Sequence, residues 1–112
     1  MLEGRSEELA REVSRSHGVS MEKARNGVRT VIDRLVHFAG WTDKYQQVFG
    51  SVNPVASPHF NFTTPEPMGV VCVVAPSRPS LLGLVSTTIP VIAAGNSVVA
   101  LCGSEDVRTA LL

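Results

Sequence analysis

Charged residues are distributed very unevenly along this 112-residue chain. Residues 1–44 carry fifteen of the twenty Asp, Glu, Lys and Arg side chains, whereas residues 45–104 carry only Glu66 and Arg78. Because charged side chains belong mostly to the protein surface, a stretch of this length with two charges cannot lie mostly on a surface. The stretch must therefore pack inside something larger than this chain, or it must meet a membrane.

The uncharged run at residues 79–102 has the length of a membrane-spanning helix, for which about 20 residues suffice. Pro90 and the Gly95-Asn96 pair divide the run into two apolar halves, and the second half has the composition of a strand. A buried segment of a water-soluble protein fits this pattern better, so we expect no membrane partner and keep a membrane anchor as a distant alternative. The first residues also lack the apolar core of a signal peptide.

The overall charge is balanced, with ten acidic and ten basic residues and a pI near 6.8. This balance argues against a nucleic-acid partner, because such binders carry a broad basic surface. The two cysteines lie thirty residues apart and form neither a CxxC pair nor a disulfide framework. A reducing, cytoplasmic location is therefore expected.

Residues 1–50 have the pattern of a helical segment. A short charged helix is expected after Ser6 and should stop near Gly18, a residue suited to a helix end. Ser20 is a candidate N-cap for a second helix, which we expect to continue as far as Gly50. Apolar residues recur along it at three- and four-residue spacing, as in an amphipathic helix. They are Met21, Ala24, Val28, Ile32, Leu35 and Ala39.

Residues 51–68 are rich in Pro, Ser, Asn and Thr and are predicted to be a crossing segment. Within this segment, residues 59–64 alternate aromatic and polar side chains in the manner of a strand. The adjoining prolines on the carboxyl-terminal side end the predicted strand, because proline cannot donate to a sheet.

Residues 69–112 have the pattern of an α/β unit. The apolar, β-branched run at residues 70–74 predicts a strand that is buried on both faces. A helix over residues 81–94 and a second buried strand over residues 97–101 follow, and another helix should begin at Ser104. This order predicts a βαβ crossover in a parallel sheet. Two strands are too few for a stable sheet, so we expect the chain to be a fragment.

The residue types alone indicate no catalytic or metal centre. Neither of the familiar glycine-rich phosphate-binding motifs occurs. His17, His37 and His59 lie too far apart to suggest metal ligands. We interpret Cys72, in the middle of a predicted strand, as an inert packing residue and Cys102, at a strand end, as the more accessible thiol.

Several motifs nevertheless follow one another at the spacing of a known family. They are Phe38-Ala39-Gly40-Trp41-Thr42-Asp43-Lys44, Glu66-Pro67-Met68-Gly69-Val70-Val71, Pro76, Leu81-Leu82, Pro90 and Gly95-Asn96. In this order they resemble the first part of an aldehyde dehydrogenase, over at least residues 38–104. The resemblance implies that residues 69–112 open a Rossmann-like nucleotide-binding domain.

The resemblance also implies a cofactor, partners and a chemistry. Members of this family oxidise an aldehyde to an acid with NAD(P), through a cysteine nucleophile and a glutamate base. Neither residue has a counterpart here, since Cys72 and Cys102 do not align with the nucleophile. Backbone groups of residues 74–77 (Val74, Ala75, Pro76 and Ser77) would face the cofactor, and residues 58–68 would join subunits of a homo-oligomer. The remainder of a longer parent protein would be a further partner.

Departures from the family pattern fall at functional positions. Arg78 occupies the place of the asparagine that donates to the developing oxyanion. Leu101 replaces the lysine that contacts the cofactor ribose, and residues 102–104 replace a Pro-Ser-Glu motif. These losses are typical of a degenerate, non-catalytic copy. The motif Leu81-Leu82-Gly83-Leu84-Val85-Ser86, in which Val-Ser replaces the usual Trp-Lys, resembles the degenerate second region of family 16 aldehyde dehydrogenases. Two interpretations stay open: a fragment of an enzyme, and a non-enzymatic scaffold or interaction module.

Overall fold

The computed structural model describes residues 3–78 and 80–103. Its helices are α1 (Ser6–His17), α2 (Met21–Ala39), α3 (Tyr45–Phe49) and α4 (Ser80–Ala93), and its strands are β1 (Ser51–Asn53), β2 (Asn61–Thr63), β3 (Val70–Val74) and β4 (Ser97–Leu101). The helix predicted from Ser104 lies outside the described residues.

α1 and α2 form the predicted helical pair. Gly18 follows α1 in the left-handed conformation, with φ at 62°, and this conformation lets the chain reverse at low steric cost. The Ser20 hydroxyl accepts a hydrogen bond from the Lys23 N–H (3.3 Å), which confirms the predicted N-cap. A small core joins the two helices. Its buried members are Leu9, Ala10, Ala24 and Val28, with Val19 packed against them.

α2 ends at Ala39, so its predicted continuation to Gly50 is wrong. The Thr42 hydroxyl donates to the Ala39 carbonyl (2.7 Å), an acceptor that a continuing helix would use for its own ladder. A run of turns follows, and α3 then forms as a separate short helix. The aromatic and apolar residues whose spacing predicted one helix therefore lie in two helices, α2 and α3.

The crossing segment contains a two-stranded antiparallel hairpin. β1 pairs with β2, and Val52 stands opposite Phe62 in the register. The strand predicted at residues 59–64 is thus found at Asn61–Thr63, whereas its partner β1 was not predicted. Both strands expose their apolar side chains, with Phe62 61% exposed and Val52 68% exposed.

β3 and β4 form a parallel pair joined through α4, which confirms the predicted α/β class. Val70 stands opposite Ser97 at one end of the register, and Val74 stands opposite Leu101 at the other. α4 packs against both strands and also against α2, so the sheet, α4 and α2 form successive layers. Pro90 lies inside α4, as the sequence places it.

The prediction that both strands are buried on both faces is wrong for this chain. Val71 and Val73 are half-buried, whereas Val70 and Val74 on the opposite face are 74% and 73% exposed. In β4, Leu101 is also 56% exposed. The physical reason is that α4 covers one face of the sheet, and the described residues supply no layer for the other.

The described part of the chain is elongated, with extents of 64 × 24 × 20 Å. In such a shape, many apolar side chains of the nearly uncharged residues 45–103 are exposed to solvent, although a composition of this kind is typical of a protein interior. No helix among the described residues is long and apolar enough to cross a membrane.

Candidate functional site

The sequence-predicted cofactor residues meet at the carboxyl edge of the parallel sheet. Val74 and Leu101 are opposite each other at the ends of β3 and β4. The Ala75 N–H donates to the Leu101 carbonyl (2.9 Å), which extends the ladder by one bond. Ala75 is buried, while Pro76 and Ser77 are exposed. In open α/β sheets, ligands bind outside this carboxyl edge.

This edge offers few groups to a nicotinamide dinucleotide. The Ala75 N–H is already used within the ladder, and Pro76 has no N–H to donate. The Leu101 side chain is exposed but apolar, so it forms no hydrogen bond with a ribose hydroxyl. Among the described residues of this edge, Ala75 and Pro76 therefore have no free N–H, and Leu101 no polar side chain, to offer a dinucleotide.

The turn after β3 is packed directly on α4. A Cβ atom added to Gly83 would lie 2.5 Å from Cγ of Pro76 and 3.2 Å from its carbonyl oxygen. Because only a residue without a side chain permits this approach, the turn and the first part of α4 form one tightly packed unit. The close packing of Gly83 on Pro76 was not predicted from the sequence, where an isolated helical glycine gives no such signal.

Arg78 is exposed and lines a cavity of about 480 Å³ bounded by α1, α2 and the start of α4. His17 and Lys23 line the same cavity. The structure thus brings Arg78 together with basic residues of the helical pair. This neighbourhood was not predicted, because Lys23 and Arg78 lie far apart in the sequence.

At the opposite, amino edge of the sheet, Asn96 joins the entries to both strands. Its Oδ1 accepts hydrogen bonds from the N–H groups of Met68 (2.6 Å) and Gly69 (3.0 Å). Its Nδ2 donates to the Val91 carbonyl (3.3 Å). Gly95 has φ at 83°, and a Cβ there would lie 2.9 Å from Cγ of Pro67. The Glu-Pro-x-Gly and Gly-Asn motifs therefore meet in space and shape the fold.

The cysteines are placed differently from the prediction. Cys72 is an exposed thiol on the open face of β3, because this strand is covered on one side only, and Cys102 is half-buried. His37 and His59 are exposed, and His17 is half-buried. Within residues 3–78 and 80–103, no group of three His, Cys, Asp or Glu side chains is arranged to hold a metal ion.

The helical pair carries exposed ion pairs. Arg25 of α2 donates to the Glu7 carboxylate of α1 (2.8 Å), and this hydrogen bond holds the pKa of Glu7 below its ordinary value. Arg5 likewise lowers the pKa of Glu8 through a hydrogen bond of 2.9 Å. Both ion pairs are exposed, but only the pair of Arg25 and Glu7 joins α1 to α2; Arg5 and Glu8 lie three residues apart at the start of α1.

The sequence matches the model of the aldehyde dehydrogenase family over residues 1–112. Mitochondrial aldehyde dehydrogenase of Equus caballus is 32% identical over 110 residues, which cover 89% of this chain and 21% of that protein. Cytosolic 10-formyltetrahydrofolate dehydrogenase of Xenopus tropicalis is 38% identical over 104 residues, or 88% of this chain and 11% of that protein. Retinal dehydrogenase 2 of Mus musculus is 38% identical over 69 residues, 62% of this chain and 13% of that protein.

The chain thus spans about a fifth or less of the length of these relatives. No solved structure matches it significantly.

Proposed function

Because this chain belongs to the aldehyde dehydrogenase family, we propose that it is a catalytically degenerate copy of the family's amino-terminal part. It corresponds to the second, degenerate region of family 16 members, and it acts as a scaffold or interaction module within a longer parent protein. In the family as a whole, the chemistry is NAD(P)-dependent oxidation of an aldehyde to an acid.

The observation that carries this proposal is Leu101 at the carboxyl edge of the sheet. It lies opposite Val74, where the family's cofactor would approach, and it presents an apolar side chain in place of a lysine. Loss of a charge-assisted hydrogen bond weakens binding by about ten- to a hundredfold. Weak or absent binding of NAD(P) by this region follows.

Arg78, which occupies the place of the family's oxyanion-binding asparagine, supports the same proposal. A neutral asparagine amide is replaced by a longer, charged guanidinium, and this side chain lines the cavity next to Lys23. An oxyanion donor has to be aimed at the developing charge before the reaction begins. An exposed guanidinium that no described residue holds by a hydrogen bond does not supply that aim, so we expect no aldehyde oxidation.

Titration calorimetry of the 112-residue chain with NAD and with NADP tests the proposal. We expect no resolved binding by the unmodified chain and a gain for the Leu101→Lys, Arg78→Asn double variant. Val99→Lys is the matched control, because it places the same charge on an exposed residue of β4 away from the edge. Tight binding by the unmodified chain that the double variant fails to improve contradicts the proposal.

We also propose that residues 58–68 join subunits of a homo-oligomer. The rings of Phe60 and Phe62 lie 5.5 Å apart between centroids and are 75% and 61% exposed. Contiguous apolar surface of this kind favours a protein partner. Sedimentation velocity of a Phe60→Ser, Phe62→Ser variant should show a smaller assembly. An unchanged assembly would show that other residues form the contact between subunits.

A cytoplasmic location stays a prediction, supported by the two free cysteines.

A further inference from the structure

The cavity bounded by α1, α2 and α4 has the size and lining of a small-molecule site. Its volume of about 480 Å³ falls within the range of about 300–1,000 Å³ that is typical of ligand pockets. Its apolar lining comes from all three helices and the loop between the first two. These residues are Val13, Val19, Val28, Leu81 and Leu82, and each is buried or half-buried.

Gly27 keeps the cavity open on the α2 side. It lies inside α2 and lines the cavity, and a Cβ atom added there would meet no atom within 4 Å. A glycine inside a helix costs about 1 kcal/mol of stability relative to alanine. At this position the missing side chain leaves space that a larger residue would fill.

Two cations stand at the rim of this apolar space. Lys23 and Arg78 both line the cavity and are both exposed, so their charged ends are open to water. Among the described residues, neither side chain forms an ion pair or hydrogen bond, and no acidic residue lines the cavity. A ligand with an apolar chain and an anionic group matches this arrangement. Its chain would be buried in the apolar cavity, and its anionic group would lie beside the two positive charges at the rim.

We propose that this cavity binds an amphipathic carboxylate, with its apolar chain between α1, α2 and α4 and its carboxylate at Lys23 and Arg78. The site needs neither a dinucleotide nor a reacting cysteine, so it goes beyond the degenerate dehydrogenase role proposed above. Its apolar part is built from the helical pair and the first turn of α4, which are joined by the core of Leu9, Ala10, Ala24 and Val28.

Ligand-observed NMR on the 112-residue chain tests this with decanoate as the probe. Decanol and decyltrimethylammonium have the same chain with a neutral or cationic end. We expect decanoate to bind at least about tenfold more tightly than either, and Lys23→Gln or Arg78→Gln to weaken it by about three- to tenfold each. Arg29→Gln is the matched control, since this exposed α2 residue does not line the cavity.

Filling the cavity gives a second, independent readout. Gly27→Leu should reduce decanoate binding by about tenfold or more, while far-UV circular dichroism shows the helices intact, because leucine favours the helix. Asn26→Leu adds the same side chain to the neighbouring, exposed position and should leave binding unchanged. Equal binding of the three probes, or undiminished binding by Gly27→Leu, overturns the proposal.

Discussion

Asn96 holds the amino ends of the two parallel strands with one side-chain amide. Its Oδ1 accepts from two consecutive N–H groups, at Met68 and Gly69, just before β3 begins. The Gly69 carbonyl in turn accepts from the Ser97 N–H (2.9 Å), the first residue of β4. The side chain and the backbone thus set the register of the strand pair together.

Replacing Asn96 with alanine should therefore loosen this end of the sheet. Two backbone donors lose their acceptor, which lowers the free energy of unfolding by about 0.5–1.5 kcal/mol, because both N–H groups are exposed and can bond to water instead. Hydrogen exchange should accelerate first at the Met68 and Gly69 amides. Asn26→Ala is the control, because Asn26 is exposed on α2 and alanine is the better helix former there. Unchanged exchange at both amides would show that the hydrogen bonds contribute nothing to stability.

Arg78 shows what could be predicted at the scale of one residue. Its place after β3 follows from the sequence order. The pairing of Val74 with Leu101 agrees with the two parallel strands that were predicted. The direction of its side chain does not follow, because this depends on how α1 and α2 pack against the start of α4. Long-range packing of this kind has no local sequence signal.

The contact between α4 and the turn before it depends on Gly83. We expect Gly83→Ala to destabilise the chain by about 1–3 kcal/mol, since a Cβ at 2.5 Å from Pro76 forces the turn to move. Gly27→Ala is the matched substitution within α2, where nothing lies within 4 Å. It should stabilise the chain by up to about 1 kcal/mol. Urea unfolding measures both, and an equal effect of the two changes would contradict this account of the contact.

The docking of α1 on α2 should depend on pH through Glu7. Because Arg25 lowers the pKa of Glu7 in the folded chain, the stabilisation is present above the ordinary value of 4.5 and is lost as the pH falls through the lower, folded value. Glu7→Gln should remove this part of the acid sensitivity in thermal unfolding. Glu22→Gln, an exposed change on α2, should keep it. The effect should shrink in high salt, because the pair is exposed.

Patterns of several residues predicted most of the elements. The N-cap at Ser20 and the parallel strand pair are confirmed, because each has a local chemical signal. β1 has only three residues, too few to show an alternating pattern, so it was missed. The end of α2 was missed because the helix ends at its C-cap residue Gly40 in a run of turns, with no proline to mark the break. The predicted burial of β3 on both faces was wrong. A run of apolar, β-branched residues indicates a buried strand, but it does not indicate whether the same chain supplies the layers that cover both faces of the sheet.

At the scale of the whole molecule, one face of the β3–β4 sheet is apolar and exposed, although its residues are of the kinds that usually lie in a protein interior. Val70, Val74, Val99 and Leu101 are each more than half exposed on two adjacent strands. Among residues 3–78 and 80–103, these two strands form a sheet of two strands only, and no described strand pairs with its outer edges. A surface of this kind favours association with another protein layer.

The chain by itself should consequently associate or precipitate through this face. Val70→Thr together with Val74→Thr keeps the β-branched shape that strands favour while adding a hydroxyl to each exposed position, so the double variant should stay soluble at a higher concentration. Val36→Thr is the control, since Val36 on α2 is 66% exposed and lies outside the sheet. Sedimentation velocity over a concentration series measures the difference. A monomeric unmodified chain that unfolds cooperatively at high concentration would instead show that one covered face is sufficient for this sheet.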